Sequence, residues 1–132
     1  MKKNGLLHPQ LLTAIAELGH GDEFLVCDAG MPIATQTRRI DLAYRAGAPP
    51  FVDVLAAIAA DVVIERAIVA SEMAPDLLAA IQRLLGCPVE RIPHDDLRQR
   101  SRVSRFAVRT GEFTPYANVL LVAGVAFPLP TL

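Results

Sequence analysis

Behind Pro9, apolar residues recur at Leu11, Leu12, Ile15 and Leu18, three or four positions apart, and this spacing predicts an amphipathic helix ending at Gly19. The pattern then becomes extended. Phe24, Leu25, Val26 and Cys27 form an uninterrupted apolar run, predicting a first strand over residues 23–28. Gly30 and Pro32, followed by the hydroxyl and amide side chains of Thr35, Gln36 and Thr37, predict a loop over residues 29–37. Residues 38–41 read as a short edge strand. Gly47-Ala48-Pro49-Pro50 reads as a turn opening a second helix, with Phe51, Val54, Leu55 and Ile58 on one face.

Residues 62–70 are β-branched and apolar on both faces apart from Glu65 and Arg66, as expected of a central strand covered on two sides. A third helix is predicted over residues 74–85, with Pro75 in its first turn and Gly86 just past its end. Residues 89–92 read as a strand. Pro93-His94-Asp95-Asp96 opens a fourth helix, with acidic residues near the positive end of its dipole. Residues 105–109 and 119–122 are predicted to pair with each other as late strands around the connection over residues 111–118. Strands alternating with helices predict an α/β fold, a central β-sheet with helices packed on its faces, as a single domain over residues 1–132. The chain contains neither an internal repeat nor a linker-like stretch.

Composition adds one expectation to this picture. Hydrophobic residues make up 52% and charged residues 20% of the 132, more apolar surface than so small a domain can easily bury within itself, which predicts a homo-oligomer. A formal net charge of −1 gives no general attraction for nucleic acid or an anionic membrane. The longest apolar run, residues 119–130, falls short of the roughly 20 residues that span a bilayer. Met1-Lys2-Lys3 leads at once into Asn4, Gly5 and His8, unlike a signal peptide. Cys27 and Cys87 stand in no CxxC or Cys/His pattern and read as reduced thiols of a cytoplasmic protein. Proline in the Phe127-Pro128-Leu129-Pro130 tail removes backbone donors and predicts an irregular end.

The candidate chemistry gathers around Gly19 to Gly30. His20 directly follows the expected helix end, and Asp28 stands eight residues on, beyond the first strand, so an imidazole and a carboxylate bracket a buried segment. Singly, each is an ordinary cap or turn residue; together they suggest a proton-transfer pair in which Asp28 orients His20 or accepts a proton itself. His94 opens the fourth helix, with Arg98 one turn later on the same face and Gln99 beside it, a set that could converge on substrate hydroxyls. Tyr116-Ala117-Asn118 precedes the last apolar strand and offers a phenol and an amide suited to sugar hydroxyls. The Arg98, Arg100, Arg102, Arg105 run is offset by Asp95 and Asp96, lacks interleaved aromatics and reads as a solvated face. HxH, HExxH, CxxC, GxGxxG, Walker and GxSxG patterns are absent, so neither a metal nor a nucleotide cofactor is expected.

Taken together, GHGDEFLVCDAGMPI, RIDLAYRAGAPPFVDVL and TGEFTPYANVLLVAGV, with His94 between the last two, closely resemble the D-ribose pyranase family, RbsD, within the RbsD/FucU sugar mutarotase superfamily. The resemblance extends over nearly the whole chain. It implies a cytoplasmic, cofactor-free isomerase that interconverts the pyranose and furanose forms of D-ribose and supplies ribokinase. It also implies His20 as proton donor, and Asp28, His94, Tyr116, Ala117 and Asn118 at sugar-binding positions. Arg98 stands where the family typically has lysine, and it and Gln99 flank that set. Ring-shaped homo-oligomers, up to decamers, with sites near subunit interfaces are implied as well. Two other readings are a mutarotase for another sugar such as L-fucose, and a non-catalytic sugar-binding accessory protein.

Overall fold

The computed structural model describes residues 1–129, which form a single mixed sheet with helices on both sides. The elements follow in the order α1 (Pro9–Ala16), β1 (Glu23–Cys27), β2 (Arg38–Asp41), α2 (Phe51–Ala59), β3 (Ile64–Ala70), α3 (Pro75–Leu85), β4 (Val89–Ile92), α4 (His94–Ser101), β5 (Phe106–Arg109) and β6 (Val119–Ala123). The six strands are arranged β2-β5-β1-β6-β3-β4. Strands β2, β5 and β1 run parallel to one another, as do β3 and β4, while β6 is antiparallel to both its neighbours, β1 and β3.

Successive side chains of a strand point to opposite faces, and the two faces hold two separate cores. Phe24, Val26, Ala67, Val69, Val108, Val119 and Leu121 face α1, α2 and α3, meeting Leu11, Phe51, Val54, Leu55, Ile58 and Ile81. The rings of Phe24 and Phe106 stack at 4.9 Å within this layer. The alternate residues Leu25, Cys27, Ile68, Ala70, Ala107, Leu120 and Val122 face the other way, against Leu97 of α4 and Met31 of the loop after β1. The apolar-on-both-faces reading of β1 and β3 reflects this double covering.

Three expectations are corrected. The late strands β5 and β6 do not pair with each other, because β1 lies between them and bonds to both. The choice of neighbour rests on contacts between distant segments, which local patterning does not encode. Helix α1 stops at Ala16 rather than Gly19. Its last turn tightens as Leu18 N–H donates to Ile15 C=O, and the Gly19 N–H turns out of the helix to the Asp22 carboxylate at 2.8 Å. Strand β3 lies second from the edge, next to β4, rather than at the centre of the sheet; its second half is covered on both faces as expected, and the excepted Glu65 and Arg66 are exposed. In the tail, Phe127 and Leu129 are exposed in irregular backbone, as expected, and Pro130 lies outside the described residues.

Candidate active site

Strands β1 and β5 end side by side, and β6 begins beside β1 because it runs the other way. This end of the sheet collects Asp28 from the end of β1 and Asn118 from the start of β6. The two residues clasp each other. Asp28 N–H donates to Asn118 Oδ1 at 2.9 Å, and Asn118 Nδ2 donates to Asp28 Oδ2 at 3.1 Å. The other carboxylate oxygen accepts Gly30 N–H at 3.0 Å. Asn118 is 1% exposed, so its amide is committed to this contact, whereas Asp28 keeps one side open.

The loop leading into β6 is held from below. Thr110, fully buried, donates its hydroxyl to Cys27 C=O at 2.8 Å, and Ala29 N–H donates to Glu112 C=O at 2.9 Å. The Glu112 carboxylate accepts Phe51 N–H at the start of α2 at 3.0 Å, and Thr114 Oγ–H at 2.9 Å. Burial pushes this carboxyl up, but the hydrogen bonds from Phe51 and Thr114 outweigh it and hold it below the ordinary range. Gly111 is required by close approach, since a Cβ there would stand 2.2 Å from Ala48 O. Arg109 ties the same end together, reaching Ala29 C=O with Nε and both oxygens of Asp41 with Nη1 at 3.1 Å.

A cavity of about 390 Å³ opens here, lined by Asp28, Ala29, Gly30, Arg109, Glu112, Phe113, Thr114 and Pro115. Its size suits a small polar ligand. Beside it, Tyr116 adopts φ 62°, a left-handed conformation that non-glycine residues rarely hold without a local reason. That turn brings its ring edge-on to His94, with centroids 5.1 Å apart. The His94 N–H caps α4 through Glu72, donating to both carboxylate oxygens at 3.1 and 3.2 Å. Its Nδ1 is buried without a partner, a donor or acceptor left over for a ligand.

The expected residues therefore fall into three places. Asp28, His94, Tyr116, Ala117 and Asn118 gather at one end of the sheet. Arg98 and Gln99 line a different cavity of about 290 Å³, with Arg102 and the loop from Pro32 to Gln36. His20 is at the far end of β1. Five strand residues at about 3.3 Å each separate it from Asp28, so within one chain the two do not form a pair. Its Nε2 meets Glu65 Oε2 at 2.9 Å instead. Glu65, Glu112 and Arg109 escaped the sequence reading as site residues. The visible sign of Glu65 is a charge that interrupts an apolar strand.

Cys27, beneath Asp28, is buried and free; burial first, and then the Asp28 charge, push its thiol up to about 12. Among the described residues no cluster of His, Cys, Asp and Glu has the arrangement of a metal site, and no helix is long and apolar enough to cross a membrane.

Comparison with known proteins places these features in context. The model of the RbsD / FucU transport protein family matches residues 1–126. A D-ribose pyranase 2 of Streptomyces griseus subsp. griseus is 51% identical over 131 residues, covering 96% of this chain and 100% of the relative. A D-ribose pyranase of Laribacter hongkongensis is 46% identical with the same coverage. Among solved structures, Bacillus subtilis RbsD complexed with D-ribose superposes with a TM-score of 0.91 at 35% identity, covering 96% of this chain and 100% of that one. The fucose mutarotase of Streptococcus pneumoniae, in complex with L-fucose, shares the fold with a TM-score of 0.77 at 23% identity, covering 89% of this chain and 93% of that one.

Proposed function

The chain belongs to the RbsD/FucU family, and we propose that within it this protein is a D-ribose pyranase, an isomerase that opens and recloses the sugar ring between its pyranose and furanose forms. The observation that carries the reading is the joint presence of a polar, preorganised Asp28–Asn118 clasp beside an open cavity and full-length similarity to D-ribose pyranases. No step of the reaction needs an electron sink or a covalent intermediate. The anomeric hydroxyl loses a proton as the bond from C1 to the ring oxygen breaks, and that oxygen takes up a proton. Closure through a different hydroxyl reverses both transfers.

In this proposal Asp28 takes the anomeric proton, with its carboxylate aimed by Asn118 and Gly30. His94 Nδ1 and the Tyr116 hydroxyl hold the remaining hydroxyls, with Ala117 and Asn118 shaping the turn that presents Tyr116. His20 gives the proton to the departing ring oxygen, a role worth roughly 10²- to 10⁴-fold in rate. Since His20 and Asp28 lie at opposite ends of β1, His20 reaches the sugar from a neighbouring copy of the chain. The apolar surplus and the exposed side chains of Tyr44, Val103 and Phe113 favour such an assembly, a ring of identical subunits. Arg98 and Gln99, on their separate cavity, stand outside the first contacts to the sugar. The free thiols Cys27 and Cys87 are in keeping with a cytoplasmic enzyme.

Saturation-transfer NMR on free D-ribose tests the reading. Wild-type protein is expected to speed exchange between pyranose and furanose signals, and His20→Ala to abolish most of the gain. Ribose binding without acceleration would instead identify a non-catalytic sugar-binding protein.

A further inference from the structure

His20 sits in a turn whose backbone is pinned to the end of the sheet. Gly21 N–H donates to Ala123 C=O at 2.8 Å, and Ala123 N–H to Asp22 C=O at 2.9 Å. Its side chain is 58% exposed and, among the described residues, has one tether, Glu65, which is itself 42% exposed. The sheet is built so that this tether can form. On β3, Ile64 pairs with Ala123 and Arg66 with the next partner, Val122, so Glu65 is the extra residue of a β-bulge. A bulge breaks the strict alternation of faces and re-aims a side chain. The neighbouring Gly124 completes the arrangement. A Cβ at that position would stand 3.3 Å from Glu65 Cβ and 3.0 Å from Val63 Cγ1, so both side chains would have to give by a few tenths of an ångström. An exposed ion pair contributes little to stability, so a bulge, a glycine and a 2.9 Å contact converging on one imidazole call for another purpose.

We propose that Glu65 is the positioning residue of His20, fixing the ring so that Nε2 points to the carboxylate and Nδ1 is the nitrogen that exchanges a proton with the sugar. The proposal rests on His20 being the proton donor. A carboxylate can only accept, so the hydrogen in this contact belongs to Nε2. On ring opening, the Nδ1–H bond breaks and an O–H bond forms on the ring oxygen, which keeps the electron pair of its broken bond to C1. The anomeric proton passes to Asp28 as the C1 carbonyl forms. The imidazole left behind is neutral, with its hydrogen on Nε2 still held by Glu65, and ready to take a proton back at Nδ1 when the ring closes. Of the two roles the sequence left open for Asp28, orienting His20 falls to Glu65 and accepting the anomeric proton stays with Asp28.

The test pairs a tautomer measurement with kinetics on the full chain. Long-range ¹H–¹⁵N correlation at alkaline pH, with His20 assigned by its loss in His20→Ala, is expected to show the hydrogen on Nε2 in wild type and a mixture of tautomers in Glu65→Leu. Ribose exchange in Glu65→Leu is expected to fall about 10- to 100-fold, the range seen when carboxylates behind a metal-bound imidazole are removed, through turnover and with ribose affinity unchanged. Glu65→Gln, whose amide oxygen accepts the same hydrogen, is expected to restore the tautomer and most of the rate. A hydrogen on Nδ1 in wild type, an unchanged tautomer in Glu65→Leu, or a loss confined to ribose affinity would overturn the proposal. The tautomer result needs no sugar, so it decides on Glu65 even if wild-type protein proves inactive on ribose, an outcome that would count against the pyranase reading alone.

Discussion

Replacing Asn118 with alanine removes both halves of the clasp on Asp28. Asn118 is 1% exposed, so water cannot take over its place without entering the packed end of the sheet. The Asp28 N–H loses an acceptor at 2.9 Å, and a backbone donor left unpaired in such a site costs roughly 1–3 kcal/mol. The Nδ2 contact to Asp28 Oδ2 at 3.1 Å is charge-assisted, but the open side of Asp28 lets water replace much of it, leaving about 1 kcal/mol. The sum, about 2–4 kcal/mol, corresponds to a fall of roughly 8–15 °C in Tm for a chain of this length. Activity suffers separately. Asp28 keeps only the Gly30 N–H at 3.0 Å, its carboxylate is free to swing, and a displacement near 1 Å can cost on the order of 10² in rate. Thermal melts followed by circular dichroism and ribose exchange followed by NMR read the two effects independently. A Tm within about 2 °C of wild type, or exchange at the wild-type rate, would refute the reasoning that Asn118 holds and aims Asp28.

Other expectations follow from the same end of the sheet. Glu112 is held below the ordinary carboxyl value of 4.5, so its contribution to stability is present above that pH and is lost as pH falls through the lower folded value; the difference in Tm between wild type and Glu112→Gln should be largest near neutrality and shrink in acid. A Gly111→Ala variant forces a methyl to within 2.2 Å of Ala48 O, surrounded by backbone that cannot step aside, and should lose roughly 3 kcal/mol or more in urea unfolding; a loss near zero would show that the loop adapts. Cys27, buried and with its thiol pushed up to about 12, should resist iodoacetamide in the folded protein while Cys87 reacts first, as peptide mass mapping would show.

Much of the fold was legible because hydrophobic spacing reports directly on which side of an element is covered. The two-sided apolar runs of β1 and β3 and the one-sided pattern of α2, with Phe51, Val54, Leu55 and Ile58 all buried, needed no long-range information. The insertion of β1 between β5 and β6 does, and the pairing expected of those two late strands failed for that reason. The site divides along the same line. Glycines, prolines and polar residues at element ends marked Asp28, His94 and Asn118, but not which would touch. Asp28 and Asn118 lie 90 positions apart, and His20 and Glu65 lie 45 apart across a bulge that leaves no trace in a period-two pattern. The spacing of His20 and Asp28 suggested a pair because both flank one strand; the geometry of an extended strand is what keeps them apart.

That separation makes the shared site between copies the most exposed part of the proposal. Ribose ring exchange should be measured for His20→Ala, for Asp28→Ala, and for the two chains co-expressed in equal amounts. Each variant alone is expected to be nearly inactive, and random assembly to recover about a quarter of wild-type activity, from sites that draw an intact His20 from one subunit and an intact Asp28 from the next. A mixture as inactive as its parents would contradict a site completed between neighbouring chains.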